Sequence, residues 1–192
     1  MLASESPRRK ALLAQAGIVP DVVRAPAVDE APLEGELPRA HALRLAAAKA
    51  RTVAAKVRET HPGARMLVLA ADTVVACGRR ILPKAGDAES VRRSLEMLSG
   101  RRHQVITAVA VALPDGGLRT RVVLTRVAFR RLAPAEIGAY VDSREGIGKA
   151  GGYAVQGRAE AFVRHINGSY SNVVGLPLAE TVLLLRGCGY AC

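Results

Sequence analysis

The spacing of apolar residues changes from segment to segment of the chain, and each spacing predicts one kind of element. In residues 38–60 apolar side chains recur at helical spacing, which predicts one long amphipathic helix. Its predicted buried face consists of Leu43, Ala46, Ala47, Ala50, Ala54 and Val57. Shorter helices, counted with their end-favouring residues, are predicted at 6–16, 87–100, 134–143 and 177–186.

Other segments have the pattern of strands. The run MLVLAAD (66–72) is apolar without alternation up to its last residue, which predicts a short strand covered on both faces. Residues 73–82 predict a hairpin that turns at Gly78. Residues 104–132 predict two long strands joined at Pro114–Gly117, a sequence typical of a hairpin turn. Further short strands are predicted within residues 18–30, 151–157 and 161–168.

The order of these elements indicates the fold class. Helices and strands alternate irregularly, and one strand pair is a hairpin, so we expect an α/β fold with a mixed sheet rather than a purely parallel one. The 192 residues are 49% hydrophobic but only 3% aromatic, so the core must be built from Val, Leu, Ile and Ala. Because no repeat or linker-like stretch divides the chain, residues 1–192 are expected to form a single domain.

The chain is strongly basic, with a formal net charge of +11 and an isoelectric point near 10.4. Such a surface attracts polyanions, and nucleic acids and small phosphorylated metabolites are the two candidates. Strand-binding proteins usually interleave aromatic and basic residues, whereas here the two Phe and four Tyr lie outside the basic clusters. We therefore expect no stable nucleic-acid complex. Part of the charge is equally compatible with a solvated, arginine-rich surface.

Cysteines and apolar runs bear on the compartment. Cys77, Cys188 and Cys192 are odd in number and lack C-x-x-C spacing, so neither a disulfide framework nor a zinc site is expected. No apolar run has the length of a signal peptide or reaches the ~18 residues of a membrane span. We expect a cytoplasmic protein that does not insert into a membrane.

Asp72 is the sharpest candidate for chemistry. It follows an apolar run, and in open α/β sheets ligands collect outside the carboxyl ends of strands. A carboxylate there can hold a divalent metal ion or accept a proton from water. The alternative is that Asp72 only caps a turn through Thr73.

Basic residues supply further candidates. Arg8 and Arg9 stand in the first turn of the predicted helix, where free amides already favour an anion, so a bound phosphate would explain two cations at that end. Otherwise both point into water. Lys49 lies at the edge of its apolar face, Lys84 follows a proline, and Lys149 precedes a glycine pair; each suits either a cleft or ordinary solvent exposure.

The remaining signals are weaker. His103 at a strand entry is expected to be structural, and Asp29 and Glu30, taken alone, suit a surface loop. The chain has no phosphate-binding loop of the G-x-x-x-x-G-K-[ST] type and no G-x-S-x-G nucleophile elbow.

Six segments of the chain form a distinctive set: LASESPRR (2–9), VDE (28–30), AADTVV (70–75), LSGRRHQVITAV (98–109), KAGGYAVQG (149–157) and GSYSNVVGLPL (168–178). Together they resemble the Maf family of nucleoside triphosphate pyrophosphatases. The resemblance implies a two-lobed α/β fold with a deep cleft, similar to the inosine-triphosphatase type. It also implies hydrolysis of a nucleoside triphosphate between the α- and β-phosphates with Mg²⁺ or Mn²⁺.

Matched to the family position by position, the resemblance assigns roles to individual residues. Asp72 matches the proton acceptor and, with Glu30, the metal-binding acids. The predicted substrate-binding residues are Ser4, Arg8, Arg9, Lys49, Thr73, Lys84, Lys149 and Gln156. Among them Arg8, Thr73 and Gln156 match the set that accompanies dTTP and UTP.

The sequence departs from the family pattern at two places and leaves alternatives open. Ala85 stands where the family usually has proline, and Gly148 where it commonly has aspartate. One alternative is a non-catalytic regulator of cell division that binds DNA or a septation protein. Another keeps the enzyme but changes its substrate to 7-methyl-GTP or another modified purine nucleotide. A homodimer is compatible with the sequence.

Overall fold

The computed structural model describes residues 1–191 of the chain. The helices are α1 (Pro7–Gln15), α2 (Pro38–Thr60), α3 (Ala88–Leu98), α4 (Pro134–Asp142), α5 (Tyr170–Val174) and α6 (Leu178–Gly187). The strands are β1 (Val68–Cys77), β2 (Arg80–Leu82), β3 (Arg102–Ala112), β4 (Leu118–Phe129) and β5 (Val163–Asn167), and a 3₁₀ helix spans Arg158–Phe162. Among the described residues, no helix combines the length and apolar character needed to cross a bilayer.

The strands form one sheet in the order β2-β1-β3-β4-β5, and every neighbouring pair is antiparallel. Within residues 1–191, parallel pairing is confined to single bridges from Leu2 to Val23 and to Leu69. The expected α/β class is confirmed. The sheet is, however, far more antiparallel than the expected mixed sheet. β1 is buried on both faces even so, because helices cover the two sides of the sheet.

One face of the sheet packs against α2. Alternate residues of β1 and β3, such as Val74 and Ile106, meet the inner face of the helix in one apolar cluster. The helix bounds agree with the prediction, but the buried face is rotated: Leu45 and Val53 are buried, whereas the predicted Leu43 is only partly covered.

The opposite face carries two apolar clusters at its two ends. One packs α1 and α6 on Ala71 and Val109. The other packs α3 and α4 on Val75 and Val105. On this face the molecule is thus divided into the two lobes that were expected.

A row of threonines separates the two clusters. Thr73 of β1 stands opposite Thr107 of β3. Thr125 of β4 pairs with Val105, which precedes Thr107 by two residues and lies on the same face of the sheet. Thr107 and Thr125 are fully buried. Buried hydroxyls need hydrogen-bond partners, so the sheet is polar where the lobes meet.

The outer edge of β1 is open beside this row. Leu2 bridges to Leu69, and β2 pairs with β1 only over Val75–Cys77. Between these points no described residue adds a strand partner on that side. The gap leaves the outer backbone edge in the middle of β1 without a neighbouring strand in the described chain.

Asp72 lies in this gap. The prediction that it stands at the end of a strand was wrong. β1 runs to Cys77, and Asp72 is an interior residue paired with Ala108. The carboxylate of Asp72 can be buried inside the strand because Nζ of Lys49, on α2, donates a hydrogen bond to its Oδ1 at 2.6 Å.

Several local predictions were confirmed and others were wrong. The two hairpins and α3, whose cap is Asp87, are as predicted. Ser6 occupies the N-cap of α1, but its side chain makes no capping hydrogen bond. The strand expected within 18–30 is reduced to the bridge at Val23, residues 151–157 form turns, and α5 was not predicted.

His103 is structural, as expected. It is 2% exposed, its Nε2 lies 2.8 Å from the hydroxyl of Tyr153, and its ring meets Phe129 edge-on. Burial lowers the pKa of His103 from its ordinary 6.5 to about 4. The unfolded chain therefore binds a proton that the folded chain excludes between these two pH values.

We expect the free energy of unfolding to fall as the pH is lowered from 6.5 to 5, by up to about 1.4 kcal/mol per pH unit, because protons bind the unfolded state. A His103→Gln variant should lose this slope in denaturant unfolding. The exposed His61, replaced by Gln, should keep it. Equal slopes for wild type and His103→Gln would contradict the assignment.

Candidate active site

A cavity of about 410 Å³ opens at the gap in the edge of β1. Its walls come from the segment before α1, from β1 and α2, from the turns at 148–156 and from the end of α5. All the residues predicted to act on substrate or metal line it: Ser4, Arg8, Arg9, Glu30, Lys49, Asp72, Thr73, Lys84, Lys149 and Gln156. Residues far apart in the sequence are thus brought together; their individual roles stay predictions.

Lys49 joins the two carboxylates of the cavity. Its Nζ lies 2.6 Å from Oδ1 of Asp72 and 2.5 Å from Oε1 of Glu30. Lys49 is 4% exposed, because it stands on the inner face of α2 opposite the alternate residues of β1 that include Asp72. A buried ammonium is tolerated only with such partners, so the three groups form one unit.

Lys84 extends this unit to the rim. Its Nζ lies 2.6 Å from Oε2 of Glu30, and the side chain of Lys84 is largely exposed. Burial raises the pKa of Glu30, but hydrogen bonds from Lys49 and Lys84 outweigh it and lower the pKa to about 2. Glu30 is therefore ionised at any pH at which the protein would work.

Arg8 and Arg9 face this unit from α1, and the end of α5 holds them. Nε of Arg8 donates to the carbonyl of Val174 at 3.3 Å, and Nε of Arg9 to that of Gly175 at 2.9 Å. The terminal nitrogens of Arg9 donate to Ser4 Oγ at 3.1 Å and Thr73 Oγ1 at 3.2 Å.

The carbonyl end of a helix is its negative end, so these contacts stabilise two cations at the positive end of α1. Burial lowers the pKa of Arg9, and the charge of Asp72 opposes that shift. The arginine pair is therefore oriented before any ligand arrives.

The remaining lining residues form the outer part of the cavity. Gln156 is exposed at the rim. Lys149 is loosely held, with Nζ 3.5 Å from the carbonyl of Ile147, and burial followed by the charge of Arg8 lowers its pKa. Apolar surface near this end comes from Val75, Tyr153, Val155 and Val173. The cavity thus combines cationic side chains with apolar lining residues.

The turn at 148–152 is tied to the loop of Lys84. Gly148 N donates to the carbonyl of Ala85 at 2.7 Å, and Lys84 bridges to Ala150. Gly148, where the family commonly has aspartate, has a φ of +73°, a conformation that favours glycine. Here the departure supplies a backbone conformation rather than a charge.

The donor chemistry fits a hard divalent cation held together with a ligand. Asp72 and Glu30 offer carboxylate oxygens, which suit Mg²⁺ and Mn²⁺. Within the described part of the chain, no three His, Cys, Asp or Glu side chains form a group that could hold a metal ion by themselves. Mg²⁺ is commonly held by one or two carboxylates and substrate phosphates, which agrees with this pair.

Sequence reasoning missed the groups that support the arginines. The carbonyls of Val174 and Gly175 lie at the end of the unpredicted α5, whose buried Asn172 accepts from Thr107 of β3 through its backbone carbonyl. The only sequence signal was the polar stretch GSYSN (168–172) before an apolar segment.

Known proteins are similar to this chain over its full length. A dTTP/UTP pyrophosphatase from Paramagnetospirillum magneticum is 58% identical over 191 residues, covering 100% of this chain and 97% of that protein. A protein of the same name from Rhodospirillum rubrum is 58% identical over 190 residues, covering 99% and 88%.

A crystal structure of a nucleoside-triphosphatase / dITP/XTP pyrophosphatase from Mycobacterium abscessus is 21% identical, covers 68% of this chain and 72% of that chain, and has a TM-score of 0.39, too distant a likeness to bear on function. The family model described as Maf-like protein matches residues 1–188. Since this match spans nearly the whole chain and agrees with the full-length relatives, the chain belongs to the Maf family.

Proposed function

We propose that this protein hydrolyses nucleoside triphosphates, preferably dTTP and UTP, to the monophosphate and pyrophosphate. The observation that carries the proposal is the meeting, in one cavity, of a lysine-linked carboxylate pair and an anchored arginine pair. Family membership and the printed names of the relatives support the same activity.

The cations are suited to a polyphosphate chain. Arg8, Arg9, Lys84 and Lys149 line the cavity and would offset the negative charge of a triphosphate. Because Arg8 and Arg9 are held by α5, their guanidinium groups need little reorganisation to bind the phosphates of the substrate. A bound Mg²⁺ or Mn²⁺ on Asp72 and Glu30 would add positive charge at the phosphates.

Asp72 would act on the attacking water. Its buried carboxylate is held by Lys49 and lines the cavity. A water bound to it would attack the α-phosphorus and give up its proton to the carboxylate as the new P–O bond forms. The bond from that phosphorus to the α–β bridging oxygen breaks, and the oxygen leaves with pyrophosphate.

Gln156 would face the base. Its side-chain amide offers both a donor and an acceptor at the rim, which suits the edge of a pyrimidine. None of the contacts in residues 1–191 favours the regulator or the 7-methyl-GTP alternative over this function.

Pyrophosphate release from a panel of nucleotides tests the function. With Mg²⁺ or Mn²⁺ we expect turnover of dTTP and UTP above that of GTP, ATP and 7-methyl-GTP, and complete loss with a chelator until metal is restored. No turnover of any nucleotide would overturn the proposal and favour a regulator. Preference for 7-methyl-GTP would leave the hydrolase but change its substrate.

An Asp72→Asn variant should lose turnover by on the order of 10²- to 10⁴-fold, because the amide cannot accept the proton from water. Nucleotide binding, measured by calorimetry, should persist. Asp29→Asn is the matched control, since Asp29 is exposed and accepts only from the backbone N of Ala31. Full activity in Asp72→Asn would refute the assigned role.

A Gln156→Ala variant should narrow the preference for UTP over GTP by roughly tenfold, because one pair of hydrogen bonds to the base is lost. The ratio of the two kcat/KM values measures it. Gln15→Ala, at an exposed position of α1, should leave the ratio unchanged. An unchanged ratio in Gln156→Ala would remove the residue from base recognition.

A further inference from the structure

A chain of hydrogen bonds runs from Arg9 into the core. Arg9 Nη2 lies 3.2 Å from Thr73 Oγ1, which lies 3.0 Å from Thr107 Oγ1, and that hydroxyl donates to the carbonyl of Asn172 at 3.1 Å. Thr107 is 0% exposed and does not line the cavity. It therefore cannot touch a substrate.

The two ends of the chain determine its direction. A guanidinium can only donate and a carbonyl can only accept, whereas each hydroxyl has one proton. Thr107 gives its proton to the carbonyl of Asn172, so in the bond between the two hydroxyls Thr73 is the donor and Thr107 the acceptor. The carbonyl of Gly175, 3.4 Å from Thr73 Oγ1, is a second acceptor for the same proton, and a lone pair of Thr73 accepts from Arg9 with either partner.

Asn172 anchors α5 to the same sheet face. It is 0% exposed, and its amide nitrogen donates to the carbonyl of Val105 at 3.0 Å and to Thr125 Oγ1 at 2.9 Å. Thr125 in turn donates to the carbonyl of Ser169 and accepts from the backbone N of Ser169. Polar bonds therefore hold both the start and the middle of α5.

The anchored helix carries the acceptors of both arginines. The carbonyls of Val174 and Gly175 follow Asn172 by two and three residues, and they accept from Arg8 and Arg9. The threonine row thus reaches Arg9 by two routes, directly through Thr73 and indirectly through α5. Apolar residues at these positions would instead join the two clusters on this face into one.

We infer that Thr107 and Asn172 are positioning residues, which set the direction of the Arg8 and Arg9 guanidinium groups toward the phosphates. The inference rests on the proposed function. The inference adds to the proposed active site two residues that lie outside the cavity and act only through Thr73 and α5. The hydroxyl of Thr73 links Arg9 to Thr107 and also lies 3.4 Å from the carbonyl of Gly175.

A pair of substitutions at one position tests it. Thr107→Val keeps the shape of the side chain and removes the hydroxyl, so we expect KM for UTP to rise roughly tenfold while kcat changes little, as for lost binding of the phosphates. Thr107→Ser restores the hydroxyl and should restore KM. Affinity for a non-hydrolysable α,β-methylene analogue of UTP, measured by calorimetry, should follow KM.

Thr181→Val is the matched control. Thr181 is also 0% exposed, and its hydroxyl donates to the carbonyl of Pro177 at 2.7 Å rather than to a group that binds Arg8 or Arg9. The Thr181→Val variant should lower the midpoint of thermal unfolding, as Thr107→Val does, but should leave KM for UTP unchanged. This comparison separates positioning from a general loss of stability.

The outcomes separate this inference from the proposed function. Unchanged KM in Thr107→Val, or equal losses in Thr107→Val and Thr181→Val, would overturn the positioning role while wild-type turnover still supported the function. A Thr107→Ser variant that failed to recover would overturn it too. A wild type that neither hydrolysed nor bound nucleotide would overturn both.

Discussion

The buried ammonium of Lys49 is the interaction on which the site depends. A charge with 4% exposure is stable only with ionised partners, and Asp72 and Glu30 supply them at 2.6 and 2.5 Å. This requirement links three parts of the chain: the inner face of α2, the interior of β1 and the loop at Glu30. It also keeps the carboxylates in the cavity, where they would meet the substrate.

The arrangement of the sheet gives this unit access to solvent. None of the described residues pairs with the outer edge of β1 between Leu69 and Val75, so a mid-strand residue reaches a cavity without leaving the sheet. Asp72 and Thr73 point to opposite faces, one toward α2 and the other toward α5. The gap therefore brings the carboxylates of one face and the arginines of the other to one opening.

The accuracy of the predictions from sequence depends on how far apart in the chain the interacting residues lie. α2 and the long hairpin follow from local periodicity and turn residues, and they were predicted correctly. The strands predicted within 18–30 and 151–157 were wrong. Val19 and Val22 of the first segment are exposed, whereas Tyr153 and Val155 of the second are buried although the segment forms turns. Asp72 lines the cavity, but the reason for choosing it was wrong: a carboxylate was taken to end its strand, and the strand continues past Asp72, whose carboxylate is bound by a distant lysine.

The sequence by itself determined the class of the fold, most helices and hairpins, and a set of charged residues whose motifs resemble one family. Only the tertiary structure decided that Lys49 joins Asp72 to Glu30, and that α5 holds both arginines. The physical reason is that these bonds join residues up to 166 positions apart. Such contacts depend on how helices pack on the sheet and on which edge stays open, and local patterns carry no information about either.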